Sequence, residues 1–449
     1  MKTIRIASGA GYGGDRIEPA LHIITQGKAD YIVFECLAER TIALAQKEKQ
    51  DDIARGYNPL LDYRMEKIIP LLGKHPVKII TNMGAANPRA AARRIHEIAL
   101  KNGMGALKIA AVEGDDVLAI LPGYYDQNIM ETGHRLGEIK ERIISANAYI
   151  GGREISRALK EGADIVITGR AADPALFAAP LMFEFQKEYD DYDFLGKCVA
   201  AGHLLECGGQ VTGGYYADPG YKDVPELWNL GFPIIEFSAD GGMMLEKLAG
   251  TGGLLSESIV KEQLLYEIQD PAAYLTPDVI ADFSKMEVVK APDGRIKISG
   301  ADGRAKTGTL KVSVGYADGY IGEAEISYGG HNCVARARLA GEIIEKRLKM
   351  LNCRCDELRL DLIGVNSLYR DALPEPDREP NEVRLRAAVR AKTEEAAKVI
   401  GYEVEALYTN GPAGGGGARS RIHKVVSVAS ILIPEPVIKP TIFWMEGKV

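Results

Sequence analysis

The chain has 449 residues, 46% apolar and 26% charged, which is the balance of a globular protein with more than one core. Its net charge of −7 offers no general attraction to nucleic acid or anionic membrane, because phosphate binding needs clustered Lys and Arg. No apolar stretch approaches the about 20 residues of a spanning helix, and MKTIRIASGAGYGG holds no signal-peptide core, so a soluble cytoplasmic protein is expected.

The chain opens on a β-rich run at 4–7, a glycine loop SGAGYGGDR, a helix over 18–25 stopped by Gly27, and a strand at 31–35. Further apolar runs at 77–81, 107–112 and 165–168 each follow a helical segment or its glycine terminus. Short apolar strands alternating with amphipathic helices predict an α/β fold with a largely parallel sheet flanked by helices. Asn87-Pro88 and Asp173-Pro174 carry one helix-start signal: the polar side chain accepts from orphan amides, and proline fits a first turn that needs no donor. QGKADYIVFE and EGADIVITGR repeat a helix, glycine, Ala-Asp, strand pattern.

The second half changes character. Between 288 and 330, Asp293-Gly294, Asp302-Gly303 and Asp318-Gly319 predict the turns of a β-meander. A helix over 334–348, a strand at 358–365, a helix over 382–400 and strands at 402–408 and 424–433 then predict a C-terminal α+β domain. Residues 367–380, rich in Pro, Asp and Glu, predict an exposed connection. The boundary falls in 283–297, giving an α/β domain 1–285 that carries the site and an α+β domain 286–449. Segment 196–282 fits either.

In open α/β proteins ligands gather over the carboxyl ends of the strands, so polar clusters after strands mark the site. The loop holding Gly11, Gly13 and Gly14 lets backbone amides approach an anion, with Asp15 and Arg16 as cap and anion clamp. Gly9, Gly11 and Gly14 also match a dinucleotide fingerprint, with Glu35 as its acidic residue. A tight turn without a ligand is the third reading. Glu35 and Glu113, at strand ends, are candidate catalytic carboxylates, while Asp115 and Asp116 read as caps. His203, Glu206 and Cys207 share a helix face by their i, i+3, i+4 spacing, which suits proton transfer or a buried polar cluster better than a metal. Gln210 and Thr212, between glycines, present hydrogen bonds to a ligand. Arg170 offers a planar fork for a carboxylate, or an ion pair with Asp173; Asn82, Asn147 and Tyr149 complete a polar pocket or serve as turn residues. The late run NGPAGGGGARSR, with Arg419 and Arg421, is a second glycine-rich basic loop suited to a phosphate-bearing group such as CoA, or a loop without a ligand. The six cysteines form no CxxC pair, no metal is expected, and the cofactor stays open.

The blocks GAGYGGDR, YIVFECLAERT, NMGAANP, ANAYIGG, GADIVITGRAADPAL, GHLLECGGQVTGG, GFPIIEFSADG and EQLLYEIQDPAAYLTPDV carry a resemblance. In this order the chain resembles the acyclic terpene utilisation A family over nearly its whole length. The resemblance implies catabolism of acyclic terpenoids, a route through branched acids and CoA thioesters. The expected protein is a hydratase or other lyase acting on a branched carboxylic acid or its CoA thioester. His203 and Glu206 then exchange protons, Arg170 and the opening loop bind carboxylate, and Asn82, Gln210 and Thr212 orient the substrate. Two alternatives stay open: a noncatalytic subunit completed by a small partner, and a nucleotide-dependent oxidoreductase. Besides the small acid or acyl-CoA, copies of the chain itself, as a homo-oligomer, are expected partners.

Overall fold

The computed structural model describes residues 2–372, 374 and 378–445. The chain divides into two compact units, one running to Gly315 and resuming at Val428, the other Tyr316–Ser427. The boundary expected at 283–297 falls inside the first unit.

The first unit begins as strand–helix steps. β1 (Thr3–Ala10) leads to α1 (Glu18–Gln26), β2 (Tyr31–Phe34) to α2 (Glu39–Asp51) and α3 (Leu61–Leu72), and β3 (Lys78–Thr81) to α4 (Pro88–Lys101). After β4 (Ile109–Glu113) and β5 (Ile143–Ala148), α5 (Arg153–Lys160) leads to β6 (Ile165–Thr168), followed by α6 (Ala175–Glu184) and α7 (Tyr192–Glu206). Next come β7 (Pro233–Ser238), β8 (Met243–Lys247), α8 (Glu257–Leu265), β9 (Tyr274–Leu275) and β10 (Ile280–Asp282). The hairpin β11 (Glu287–Lys290) and β12 (Ile296–Ser299) and then β13 (Asp302–Arg304) follow.

Ten strands form one sheet, in the order β11-β12-β8-β7-β1-β2-β3-β6-β4 and finally β18 (Thr441–Met445). The pairs from β1 through β2, β3 and β6 to β4 are parallel. Both flanks are antiparallel, with β7 pairing β1 on one side and β18 pairing β4 on the other. The sheet is therefore mixed, and the parallel expectation holds for its centre. The central strands YIVF and IVIT are buried at every position, as strands covered on both faces must be. Ile32, Phe34, Ile79 and Ile167 pack with the apolar stripes of α1, α3 and α4 on one face. On the other face lie α5, α6 and α7. Each fully buried Ile here contributes about 1.5–3 kcal/mol.

Helix starts follow local chemistry. The Asn87 carboxamide accepts from Ala90 N at 3.3 Å with Pro88 in the first turn, as its signal predicts. Asp173 does not cap α6; its carboxylate turns to Arg170 instead. In α7, Gly202 lies so close to α6 that a Cβ would sit 2.6 Å from Pro174 O, which brings the helix's last turn, with Glu206, in over the sheet.

The second unit is built from β14 (Thr309–Gly329), α9 (Cys333–Met350), β15 (Cys355–Ile363), β16 (Glu382–Ala391), α10 (Glu394–Asn410) and β17 (Gly416–Pro434), the division falling within β14 and β17. The sheet order β15-β16-β14-β17 with two helices is the split β-α-β arrangement of ferredoxin-like folds. Ile326, Tyr328, Leu385 and Val389 face Ala337, Ile344, Ile400 and Val404 of the helices.

Two expectations for the second half of the chain fail. The helix over 382–400 is a strand to Ala391 and a helix only from Glu394, and 402–408 continues that helix rather than forming a strand. The period-two burial of Val383, Leu385, Ala387 and Val389 against Arg384 and Arg386 decides for strand, since partners on both edges outweigh the helix propensity of Ala and Arg. Asp318-Gly319 and Asp302-Gly303 sit inside β14 and β13, so only Asp293-Gly294 turns a hairpin. Of the expected connection 367–380, residues 373 and 375–377 lie outside the described residues. Among the described residues no helix is long and apolar enough to cross a membrane.

Candidate functional site

A cavity of about 1070 Å3 opens over the carboxyl ends of β1, β2, β3 and β6, all within the first unit. The opening loop supplies Gly11–Gly14, the turn after β2 supplies Glu35–Thr41, and Arg170 and Asp173 follow β6. The end of α7 adds Glu206 and Cys207, and the turn after α8 adds Tyr266 and Glu267. Parallel strands put successive loops on one edge of the sheet, which is why residues far apart in the chain meet here.

Glu35 directly follows β2 and is buried. Its Oε1 accepts from Leu37 N at 2.9 Å and from the Asn82 carboxamide at 2.8 Å, while Asn82 Oδ1 accepts from Cys36 N at 2.7 Å. Asn82 thus lies beneath Glu35, off the cavity wall, and holds the carboxylate and its backbone in one geometry. Burial pushes the Glu35 carboxyl up to about 7, against the pull of Arg170, the Leu37 amide and Asn82 and with the push of Glu206.

Glu206 reaches the same cavity from α7. Its Oε1 pairs with His203 Nδ1 at 2.9 Å, and its Oε2 is buried without a hydrogen-bond partner among the described residues. Burial raises this carboxyl too, opposed by His203. His203 itself does not line the cavity; its ring lies 5.3 Å from Tyr274 and 5.7 Å from Phe283, and its Nε2 is likewise unpartnered. The pair expected from the i, i+3 spacing is present, with the carboxylate in front and the imidazole behind it.

Arg170 is 1% exposed. Its Nε and Nη2 donate to Ala171 O at 3.0 and 2.6 Å, its Nη1 to Leu37 O at 2.6 Å, and its Nη2 also to Asp173. Four of five donors are thereby engaged, so the group gives the cavity positive charge and one remaining Nη1 N–H rather than an open fork. The guanidinium lies 4.4 Å above the Tyr149 ring, whose hydroxyl donates to Glu39 at 3.0 Å. Burial pushes Glu39 up, but the bonds from Lys311 and Tyr149 outweigh it and hold this carboxyl below its usual value. Asp115 accepts from Arg170 N at 3.0 Å and from Asn147 at 2.8 Å, and Gln46 donates to Asn147 at 3.2 Å. Asn147 is therefore part of the scaffold that fixes Arg170.

The opening loop meets the end of α7 backbone to backbone: a Cβ on Gly11 would lie 2.1 Å from the Cys207 carbonyl carbon, so only glycine fits. Gly11 N donates to Asp15 at 2.8 Å, and the buried Arg64 donates to the carbonyls of Gly13 and Asp15 at 3.2 and 3.0 Å. Asp15 therefore closes the loop on itself. Burial raises its carboxyl above the usual value, with the Gly11 amide and Arg64 opposing. The amides of Gly13 and Gly14 donate to no acceptor among the described residues and remain for a ligand, while that of Tyr12 turns to Asp15.

Of the residues singled out in the sequence, Gly11, Gly13, Gly14, Glu35, Tyr149, Arg170, Asp173, Glu206, Cys207 and Gln210 converge on the cavity. Glu113 does not: it faces Arg89 at 2.6 Å on the strand that β18 covers. Arg16 donates to Trp228 O at 3.1 Å outside the cavity, and Thr212 is fully buried, donating to Gly231 O at 2.7 Å. The late glycine run follows the carboxyl end of α10, with Arg336 donating to Ala413 O at 2.7 Å and Arg421 bonded to Glu323. A helix carboxyl end repels anions, so this run lacks the dipole of an anion cradle. Sequence reasoning missed Arg64, Asn58, Tyr266 and Glu267. The positive φ of 60° at Glu267, uncommon outside glycine, marks a turn held against strain at the cavity wall.

Among the described residues no three His, Cys, Asp or Glu side chains gather in a way that could hold a metal ion. Burial pushes both Cys36 and Cys207 up to about 12, so neither thiol is an activated nucleophile.

No curated protein matches the chain significantly. Among solved structures it is similar to two de novo designed proteins. Ferredog-Diesel is 23% identical, with 24% of this chain and 89% of that chain covered, at TM-score 0.16. Foldit4 is 12% identical, with 23% and 94% covered, at TM-score 0.16. Likeness at that score bears on neither fold nor function. The model of the acyclic terpene utilisation family protein AtuA matches residues 4–444, nearly the whole chain, and the protein belongs to that family.

Proposed function

We propose that the protein is a cytoplasmic enzyme of hydro-lyase type, acting on a branched acyclic carboxylic acid or its CoA thioester in the use of acyclic terpenes that the family's name describes. One observation carries this reading: two buried carboxyls, Glu35 and Glu206, line a single cavity, each anchored by the protein at Oε1, and among the described residues no donor reaches the Oε2 of either. Proton exchange with a ligand needs such groups, raised above the ordinary carboxyl value and oriented by a partner behind them.

The two are not equivalent. Two donors on Oε1 and the charge of Arg170 favour an ionised Glu35, which suits it as the base. The unpartnered Oε2 of Glu206 favours the protonated form, which suits it as the acid. In hydration of a double bond conjugated to the substrate carbonyl, the water oxygen bonds to the β-carbon while Glu35 takes a water proton. Glu206 gives its proton to the α-carbon, and the reverse sequence expels water. Arg170 and the free amides of the opening loop hold the carboxylate or thioester oxygen, and His203 is a positioning residue for Glu206.

Glu35→Gln and Glu206→Gln test this directly. Each is expected to lower kcat/KM on a branched unsaturated acid or its thioester by about 10² to 10⁴-fold with the fold intact, the usual worth of a positioned proton carrier. A loss below about tenfold for both would sink the assignment.

A further inference from the structure

Beside the main cavity lies a second recess of about 310 Å3, lined by Tyr215, Tyr216, Ile259 and Leu265 and sharing Gln210 and Tyr266 with the first. The side chains of these two residues bond to each other, so they stand where the two spaces meet. Tyr215 is 90% exposed and Leu265 60%, an apolar surface without a protein partner. Among the described residues Glu262 is the one charged side chain on its wall; it is already paired with Lys222 at 2.5 Å, and Lys222 lies 4.5 Å from the Tyr216 ring centre.

The charges of the main cavity point the same way. Six carboxyl side chains, Glu35, Glu39, Glu48, Asp173, Glu206 and Glu267, line it against two guanidinium groups, Arg40 and Arg170. Phosphate groups are held by clusters of Arg, Lys or free amides, and a coenzyme-A thioester brings a diphosphate and a ribose phosphate. Among the described residues the two walls set against that charge only Arg40, Arg170 and the amides of Gly13 and Gly14, too few for three phosphate groups beside six carboxyls. One remaining Arg170 donor and the free amides at Gly13 and Gly14 match one small anionic or polar head.

Resting on the acid–base reading of the site, we infer that the substrate is the free acid or a similarly small-headed acyclic molecule, not its coenzyme-A thioester, with its hydrocarbon tail passing Gln210 and Tyr266 into the second recess. The head sits between Glu35 and Glu206, and the tail takes the aromatic and aliphatic wall. Chain length is then read at Tyr215 and Leu265, away from the reacting carbon.

Isothermal titration calorimetry on the full-length protein tests this, with methyl-branched acyclic acids of increasing length, their coenzyme-A thioesters and coenzyme A alone. Affinity for the free acids is expected to rise about fourfold per added methylene until the recess is filled. Each thioester is expected to bind at least about tenfold more weakly than its acid, and coenzyme A not measurably. Leu265→Trp, which fills the recess at a largely exposed position, flattens the length dependence and leaves the shortest acid unchanged. Tyr215→Ser, where exposure puts the fold at little risk, reduces the slope as well. Equal or tighter binding of the thioesters, an unchanged slope in both variants, or no binding by any acid overturns the inference. Binding is read without turnover, so active Glu35→Gln and Glu206→Gln enzymes would break the acid–base reading while leaving this pattern to stand or fall separately.

Discussion

Buried carboxylates occur in both units, and they are treated in opposite ways. On the sheet of the second unit the Glu323 side chain, 7% exposed, accepts from Arg386 and, at 2.5 Å, from Arg421, while Asp361 accepts from Arg359 and Arg386, each at 2.8 Å. Burial pushes Glu323 up, but the two arginines outweigh it and hold the carboxyl below its ordinary value. In the cavity of the first unit Glu35 and Glu206 have burial without a dedicated counter-charge, since Arg170 is bound to Asp173 and to backbone carbonyls. Both are raised. Burial alone is therefore no sign of chemistry; burial with an oxygen left unclaimed is.

The sharpest way to break this contrast is kinetic. Glu35→Gln and Glu206→Gln are expected to cost about 10² to 10⁴-fold in kcat/KM, whereas Glu323→Gln leaves kcat/KM within about twofold. Comparable activity losses at all three positions would show that the contrast has no functional content.

Stability against pH sharpens it next, because the two kinds of carboxylate carry opposite slopes. Glu35 is raised from 4.5 to about 7 in the folded state, so between those values the folded chain binds more protons than the unfolded one. Stability falls as pH rises through that window, by about 3 kcal/mol in all. Glu35→Gln has no charge to bury and should be more stable than the parent by about that amount at pH 8, with the difference closing below about pH 4. Urea unfolding across pH reads this directly, and a less stable Glu35→Gln at pH 8 would contradict the raised carboxyl.

Glu323 runs the other way. Its lowered value gives stability that is present above the ordinary carboxylate range and lost as pH falls through the lower folded value. Glu323→Gln should cost about 2 kcal/mol at pH 7, less than a fully buried pair because Arg421 is largely exposed. That cost should shrink toward acid pH, where the parent carboxylate is itself protonated. A cost independent of pH would assign Glu323 a packing role instead.

Much of the first unit was legible because buried parallel strands are short unbroken apolar runs, YIVF and IVIT, and the residues after them must lie on one sheet edge. That reasoning reached Glu35, Arg170 and the opening loop. It failed for Glu113, which also ends a strand, because β18 arrives from the far end of the chain to cover that edge and Arg89 takes the carboxylate. The i, i+3 spacing located His203 with Glu206 but carried no information on which one faces the cavity; the packing of Tyr274 and Phe283 on the imidazole decides that. Tyr266 and Glu267 were invisible for a different reason: they sit in a turn whose position depends on α8 packing against the glycine-rich turn after α7. In the second unit Arg and Ala in VRLRAAVRA read as helix, and the strand emerges only because β14 and β15 pair with it on both sides.

The smallest expected effect separates positioning from scaffold within the site. Asn82 donates to Glu35 Oε1 at 2.8 Å and accepts from Cys36 N at 2.7 Å, so it steadies both the charge and the backbone. Its bond to the carboxylate favours the ionised form. Asn82→Ala removes it, and Glu35 should then hold its proton to higher pH. With Glu35 as the base, kcat/KM falls as pH drops through its titration, and the variant's acid limb should move up by roughly half a unit to one unit, the worth of one hydrogen bond to a charged group in a partly wet site. At pH above that limb the variant should recover to within a few-fold of the parent. A purely structural loss lowers kcat/KM at every pH and leaves the midpoint in place, so the midpoint of the limb, more than the size of the rate, tells whether Asn82 acts through Glu35.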